Sequence, residues 1–295
     1  MKKTYLFSNP YHLHLRYKQM VIEDKASKIE MTRPIDEMGL VILDDKQITL
    51  SAGLLVELAQ QNVALVLCNE KRMPEAMMLP LHHHHTMGQK FQTQIAASEP
   101  LKKSLWQQII KAKILNQAAV VGKIGKSPAA LEALAKKVLT GDTTNVEGNA
   151  ARVFFGELYG KEYRRDPDGA NPNPLQNYAY SLLRAAMARA LIGSGLQPIV
   201  GLWHSNKYNG YPLADDMMEP YRPMADMLVW QMLHNGYDAA ELAKEHKQEL
   251  IGLLFIDTSH KKQTSPLQVT IDRVTANLAQ CLEGKAKKLD FPTVK

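Results

Sequence analysis

The sequence predicts an α+β protein in which a small β-rich N-terminal domain precedes a larger all-α C-terminal domain. Three observations carry that expectation. Short apolar runs bounded by turn residues fill roughly the first 75 of the 295 residues. Helical periodicity takes over near residue 90 and persists to the end. Between them lies "EKRMPEAMMLPLHHHHTMGQ", interrupted by Pro74, Pro80 and Gly88. The expected boundaries are 1–78 for the β-rich domain, 79–89 for a linker and 90–295 for the helical domain.

The elements follow in order. "HLHLRY" alternates, with Leu13, Leu15 and Tyr17 expected on one face and His14 and Arg16 on the other. "GLVILDD" and "VALVLCN" are short continuous apolar runs, the pattern of buried strands. "SAGLLVELAQQN" between them reads as a helix capped by Ser51. The run His82 to His85 is a poor chelate, because neighbours on an extended chain point to opposite sides, and it reads as a polar loop. "PLKKSLWQQIIKAKILNQAAVVGK" starts a long helix at Pro100, with Leu101, Leu105, Ile109 and Leu115 on its apolar stripe and lysines opposite. "SPAALEALAKKVL" begins at a Ser-Pro pair. "NPNPLQNYAYSLLRAAMARALIGSG" offers Asn173 as cap, Pro174 at the first position and Gly193 or Gly195 as stop. "PMADMLVWQMLHNG" ends at Gly236. "SPLQVTIDRVTANLAQCLEG" opens on a Ser265–Gln268 capping box and ends at Gly284.

Composition narrows the function classes. The chain is 45% hydrophobic and 22% charged, ordinary for a globular protein with a sizeable core. No stretch reaches the roughly 18 uninterrupted apolar residues of a membrane span. The start "MKKTYLFSNPYHLHLRYK" has lysines but no apolar segment behind them, so it does not read as a signal peptide. Cys68 and Cys281 sit in apolar patterns and read as buried thiols, which points to a reducing, cytoplasmic setting. A net charge of +6, with paired bases such as Lys102-Lys103, Lys136-Lys137, Arg164-Arg165 and Lys261-Lys262, suits a nucleic-acid partner. Phosphate-binding glycine motifs, a nucleophile elbow, HExxH and CxxC are all missing.

What remains is a set of acids and one histidine. Glu147 completes a Thr144-x-x-Glu147 capping box. The positions that follow it at helical spacing, Ala151, Phe154 and Leu158, are small or apolar. A carboxylate on such a face is costly unless a cation meets it. Spacing leaves both readings open, cap or metal ligand. Asp216 and Glu219 repeat the ambiguity, three residues apart in "LADDMMEPYRP". There Pro220 and Pro223 remove backbone donors at the point where the acids gather. His204 ends the apolar approach "GLQPIVGLWH" and gains weight only beside the acids. Two carboxylates and an imidazole suit Mg²⁺ or Mn²⁺ better than zinc. On a basic chain that set points to metal-assisted phosphodiester chemistry.

"EGNAARVFFGELYG", then "GLWHSNKYNG", then "PLADDMMEPYRPMAD" resemble the three signature blocks of the CRISPR-associated protein 1 family, the integrases of CRISPR adaptation. "KSLWQQIIKAKILNQA" and "NPLQNYAYSLLRAAM" look like its core helices, and the short form looks closest to type II systems. The resemblance covers nearly the whole chain. It implies that Glu147, His204 and Glu219 are the catalytic metal ligands, with Asp216 in support. It implies a homodimer, two of which are bridged by a dimer of CRISPR-associated protein 2 in a heterohexamer. It implies double-stranded DNA as substrate, a protospacer inserted into the CRISPR repeat when its 3′-hydroxyl attacks a phosphodiester. Arg152, Lys207 and Arg222, near the triad in sequence, are the expected phosphate contacts. Two other readings use the same residues: a metal-dependent nuclease acting on branched DNA in repair, and a non-catalytic DNA-binding scaffold whose acids only cap helices.

Overall fold

The structure is a computed structural model describing residues 2–81, 83–170, 172–204, 206–237, 242–261 and 263–295. It divides into two compact units, Met1–His85 and Thr86–Lys295.

In the first unit β1 (Lys3–Phe7), β2 (Tyr11–Arg16), β3 (Gln19–Asp24), β4 (Glu30–Pro34), β5 (Met38–Leu43) and β6 (Thr49–Leu50) precede α1 (Ala52–Gln60). Then come β7 (Ala64–Cys68) and β8 (Pro74–Met78). One sheet has the order β1-β5-β7-β8 and the other β4-β3-β2-β6. β5 is paired in parallel with β1 and β7 and is buried at every position, which is why its sequence is a continuous apolar run. Phe7, Leu13, Met20, Ile22, Val41 and Leu65 close the core with Leu54 and Leu58 of α1. Ser51 caps α1 as expected, its Oγ accepting from the Leu54 N–H at 3.3 Å. The expected inward Tyr17 is a correction. It is 92% exposed, because Tyr17 and Lys18 form the two-residue turn between β2 and β3, with φ of 50° and 59°. Positive φ at both turn positions matches the twist of a tight hairpin.

The second unit contains α2 (Met87–Ile95), α3 (Glu99–Lys123), α4 (Ala129–Lys137), α5 (Val146–Tyr159), α6 (Asn173–Gly193), α7 (Pro212–Met218), α8 (Arg222–His234) and α9 (Lys244–Ile251). β9 (Asp257–His260), β10 (Gln263–Pro266), α10 (Leu267–Leu282) and β11 (Thr293–Val294) complete it. α2 starts inside the stretch expected to be linker. The unit is mostly helical rather than all-α, because β10 and β11 pair antiparallel with β9. Ser265 therefore lies in a strand and caps nothing; its Oγ accepts from Arg273. Asn173 begins α6 instead of capping it, and its side-chain oxygen receives Tyr163, Arg165 and the Asp166 N–H.

α3 and α6 are the two long central helices, and each packs against α8. The stripe of α3 departs from expectation. Leu105, Trp106, Ile109, Ile110, Ile114, Val120 and Val121 are buried, but so are Lys113, Asn116 and Gln117, while Leu115 is 48% exposed. Asn116 uses its burial fully. Its Nδ2 donates to the Pro220 and Pro292 carbonyls, and its Oδ1 accepts from the Val294 N–H.

The prolines of "MMEPYRPM" have a local role. Pro220 cannot donate to the Asp216 carbonyl, so the Glu219 N–H takes that acceptor three residues on. Pro223 cannot donate to the Glu219 carbonyl, and the Arg222 N–H takes it in the same way. The result is a single tight 3₁₀ turn, Glu219–Tyr221, between α7 and α8.

Candidate active site

Each acid of the site is positioned by a different local device. Glu147 is the second residue of α5. The cap is not Thr144: Asn145 holds φ at 51° and its Oδ1 accepts from Gly148 N–H, while the Asp142 carboxylate accepts from the N–H groups of Val146 and Glu147. The buried stripe of α5 is Val146, Ala150, Phe154 and Leu158, so Glu147 sits at its edge with 29% of its side chain exposed. Glu219 stands in the 3₁₀ turn and is nearly buried, at 4%. The Asp216–Glu219 capping box does not form, since Asp216 lies inside α7.

Asp216 instead organises the loop that carries His204. Its Oδ2 accepts from the N–H groups of Leu202 at 2.7 Å and Trp203 at 2.9 Å, and its Oδ1 meets His204 Nδ1 at 2.5 Å. Only glycine fits at 201, because a Cβ there would stand 2.4 Å from the His204 carbonyl oxygen. The indole of Trp203 stacks on Trp106, nearly parallel at a centroid distance of 5.6 Å, and His204 meets Trp106 edge-on. The hydrogen bond to Asp216 raises the His204 pKa against partial burial, and the charges of Asp216, Glu219 and Glu147 add to it. It also directs Nδ1–H toward Asp216, leaving Nε2 as the ring nitrogen free for a ligand or a proton.

The two glutamates converge on one buried cation that sequence reading placed on the solvent face. Lys113 Nζ of α3 lies 2.5 Å from Glu147 Oε1 and 2.6 Å from Glu219 Oε2. Burial pushes the ammonium's pKa down, but Glu219 and Glu147 outweigh it and the net shift is upward. For Glu219 burial pushes up, while Arg222 and Lys113 together bring the net shift downward. A signal for Lys113 existed. It lies four residues after Ile109 and seven after Trp106, on the phase of the buried stripe.

The other expected residues are scattered. Arg222 turns inward, its Nε 3.1 Å from Glu219 Oε1 and its guanidinium 4.7 Å from the centre of the Tyr180 ring. Tyr180 OH and Gln176 Nε2 both donate to Asp226 Oδ1, and burial pushes the Asp226 carboxyl up to about 6. Arg152 is exposed and donates to Asn149, and Lys207 lies exposed over the Tyr208 ring. Asp215, beside Asp216, is held by Arg184 through two contacts of 2.7 and 2.9 Å. In the histidine run, His84 and His85 stack on each other, and His82 lies outside the described residues.

Glu147, Glu219 and His204 do not form a ready pocket: among the described residues no three His, Cys, Asp or Glu side chains are grouped to hold a metal. The donor set nonetheless fits a divalent cation. Two carboxylates already share one positive charge, and a half-exposed imidazole is held in a single tautomer by a buried acid.

A profile of the family described as CRISPR associated protein Cas1 matches residues 4–265. The chain is 35% identical to the CRISPR-associated endonuclease Cas1 of Neisseria meningitidis serogroup C over 295 residues, covering 99% of this chain and 96% of that protein. Among solved structures it superposes on a casposase bound to integration product with a TM-score of 0.81 at 20% identity, covering 99% of this chain and 93% of that one. A Cas1 protein from Thermotoga maritima superposes with a TM-score of 0.78 at 15% identity, covering 97% and 98%. A Cas6-RT-Cas1–Cas2 complex gives 0.76 at 16% identity, covering 98% of this chain and 36% of that one. At such identities these superpositions establish a common fold.

Proposed function

Because the chain belongs to the CRISPR-associated protein Cas1 family, the endonucleases of CRISPR adaptation, we propose that it is the metal-dependent integrase that inserts protospacer DNA into the CRISPR repeat. One observation carries the reading. Acids from α5 and from the α7–α8 break meet on a single buried cation beside an imidazole oriented by Asp216.

Glu147, Glu219 and His204 Nε2 would hold Mg²⁺ or Mn²⁺. When bound, the ion polarises the scissile phosphate and lowers the pKa of an attacking hydroxyl. Asp216 fixes the ring and its tautomer. Arg222, turned inward, balances the charge of Glu219. Arg152 and Lys207, both exposed, are the proposed phosphate contacts, a role that carries no sequence reading. The proposed partners are a second copy of the chain, a CRISPR-associated protein 2 dimer and double-stranded DNA. All the proposed chemistry lies in the unit from Thr86 to Lys295.

The test is an integration assay with a short duplex and a target containing a repeat. Joined products should form with Mg²⁺ or Mn²⁺ and vanish with chelator. Glu147→Ala, His204→Ala and Glu219→Ala should each reduce joining by at least about 100-fold, the upper end of the loss seen when outer-shell partners of a metal are removed. Undiminished joining by Glu147→Ala would overturn the site. Strand shortening without joining would replace integration by hydrolysis, the branched-DNA nuclease reading.

A further inference from the structure

We propose that Lys113 is a built-in placeholder for the metal ion: its ammonium holds Glu147 and Glu219 together in the free protein and leaves them when the ion binds, drawn away by a DNA phosphate. The inference rests on the assignment of those two glutamates as metal ligands and adds to it a residue that couples metal binding to DNA binding.

The geometry begins with α3. Its backbone is fixed by buried neighbours before and after position 113, Ile109, Ile110, Ile114 and Asn116 among them. The lysine side chain is only 10% exposed and reaches both carboxylates at once. The ammonium lies between the two carboxylates and offsets their mutual repulsion in the absence of metal, with Arg222 assisting on the Glu219 side. A divalent ion bound to the same oxygens would stand about 2 Å from them. It would share their surroundings with the ammonium, and two like charges cannot both occupy that place. The lysine stem is flexible and its head compact, so it can withdraw without disturbing the helix.

The ammonium then needs another anion. The neighbouring acids are already engaged. Asp216 is held by the backbone of residues 202–204 and by His204. Asp226 is held by Tyr180 and Gln176, and Asp215 by Arg184 and Asn209. The anion the reaction brings is the phosphodiester. Metal and DNA therefore bind with positive, reciprocal coupling, and the DNA-free protein holds its metal weakly. The functional consequence is restraint: the site completes itself only on its substrate. A purely structural Lys113 predicts the reverse, since removing it would loosen the glutamates and weaken metal binding.

The experiment measures Mn²⁺ binding to the full chain without DNA, by electron paramagnetic resonance of the free ion, for wild type, K113M, K113Q and E219Q. Thermal melting with and without Mn²⁺ accompanies it. K113M and K113Q should tighten Mn²⁺ by at least about tenfold, within the usual range of coupling between sites. Both should melt lower than wild type without Mn²⁺ and recover more on its addition. A short duplex should raise the Mn²⁺ affinity of wild type more than that of either variant, counting only the binding lost in E219Q. Unchanged or weaker Mn²⁺ binding in K113M and K113Q, with E219Q still abolishing it, overturns the placeholder and leaves the ligand assignment standing. Mn²⁺ binding in E219Q equal to that of wild type overturns the ligand assignment, and the placeholder with it. Failure of both lysine variants to fold in saturating Mn²⁺ also overturns the proposal, since the ion then does not substitute for the ammonium.

Discussion

Asp216 is fully buried, and its carboxylate accepts from three consecutive backbone N–H groups and one imidazole nitrogen. Removing it strands the buried Leu202 N–H and loosens the part-buried N–H groups of Trp203 and His204, so Asp216→Ala should cost about 2–3 kcal/mol, the range for hydrogen bonds to a charged group. Urea denaturation measures this, and a loss under about 0.5 kcal/mol, typical of an unremarkable surface change, would refute the role. Asp226 makes a prediction of opposite character. Its folded pKa of about 6 lies above the ordinary 3.8, so the folded state holds its proton longer than the unfolded chain does. Its stabilising contribution is complete below about pH 4 and is lost as pH rises through about 6, of the order of 3 kcal/mol in total. Asp226→Asn keeps the acceptor for Tyr180 and Gln176 and should flatten that part of the pH profile. A profile unchanged between wild type and variant would contradict it. At this scale the sequence was legible for chemical type and illegible for company. Glu147, His204 and Glu219 stood out as acids and a histidine in odd places. Lys113 did not, because a lysine on an amphipathic helix ordinarily marks the wet face, and apolar Leu115 fits the expected stripe yet is 48% exposed.

Capping boxes misled in three places for one physical reason. Ser/Thr/Asp-x-x-Glu/Gln spacing identifies a cap only if the first residue occupies the position that flanks the helix: Asp216 lies inside α7, Pro266 flanks α10 in place of Ser265, and Asn145 flanks α5 in place of Thr144. Ser51, directly before α1, met the condition and caps it. The β2–β3 hairpin supplies the prediction at this scale. Tyr17 and Lys18 both hold positive φ, which costs a non-glycine residue about 1–2 kcal/mol. Tyr17→Asn with Lys18→Gly supplies the residues that turn prefers and should raise stability by about 1 kcal/mol or more. Chemical denaturation followed by a probe in the first unit reads the gain, and a loss of stability would mean that Tyr17 contributes contacts beyond the turn. The loop before α7 shows how little tolerance a single position has. Gly201 lets the backbone fold around Asp216, a requirement invisible in a sequence read one glycine at a time.

The order of the molecule, strands first and helices after, followed from hydrophobic periodicity, while the small sheet of β9, β10 and β11 escaped because two of its strands are four residues long and the third is two. No helix among the described residues is long and apolar enough to cross a membrane. The net charge of +6 gives the prediction for the whole chain. If DNA is held by several phosphate contacts, affinity should fall by at least about 100-fold between about 50 and 200 mM salt, along a straight line in log–log form. Fluorescence anisotropy with a labelled duplex measures it, and a flat response would remove the basic surface from the account. Three stations of the site ride on one rod. Trp106 lies beneath Trp203 and His204, Lys113 joins the acids two turns later, and Asn116 fastens the Pro220 carbonyl and the chain's end. Their relation is one of phase, since a residue added between Trp106 and Lys113 would rotate everything after it by about 100°. Insertions between α5 and α6, or between α8 and α9, lengthen a connection and leave that phase alone. α3 behaves as a camshaft: the residues on its exposed side can change, but the count between its stations cannot.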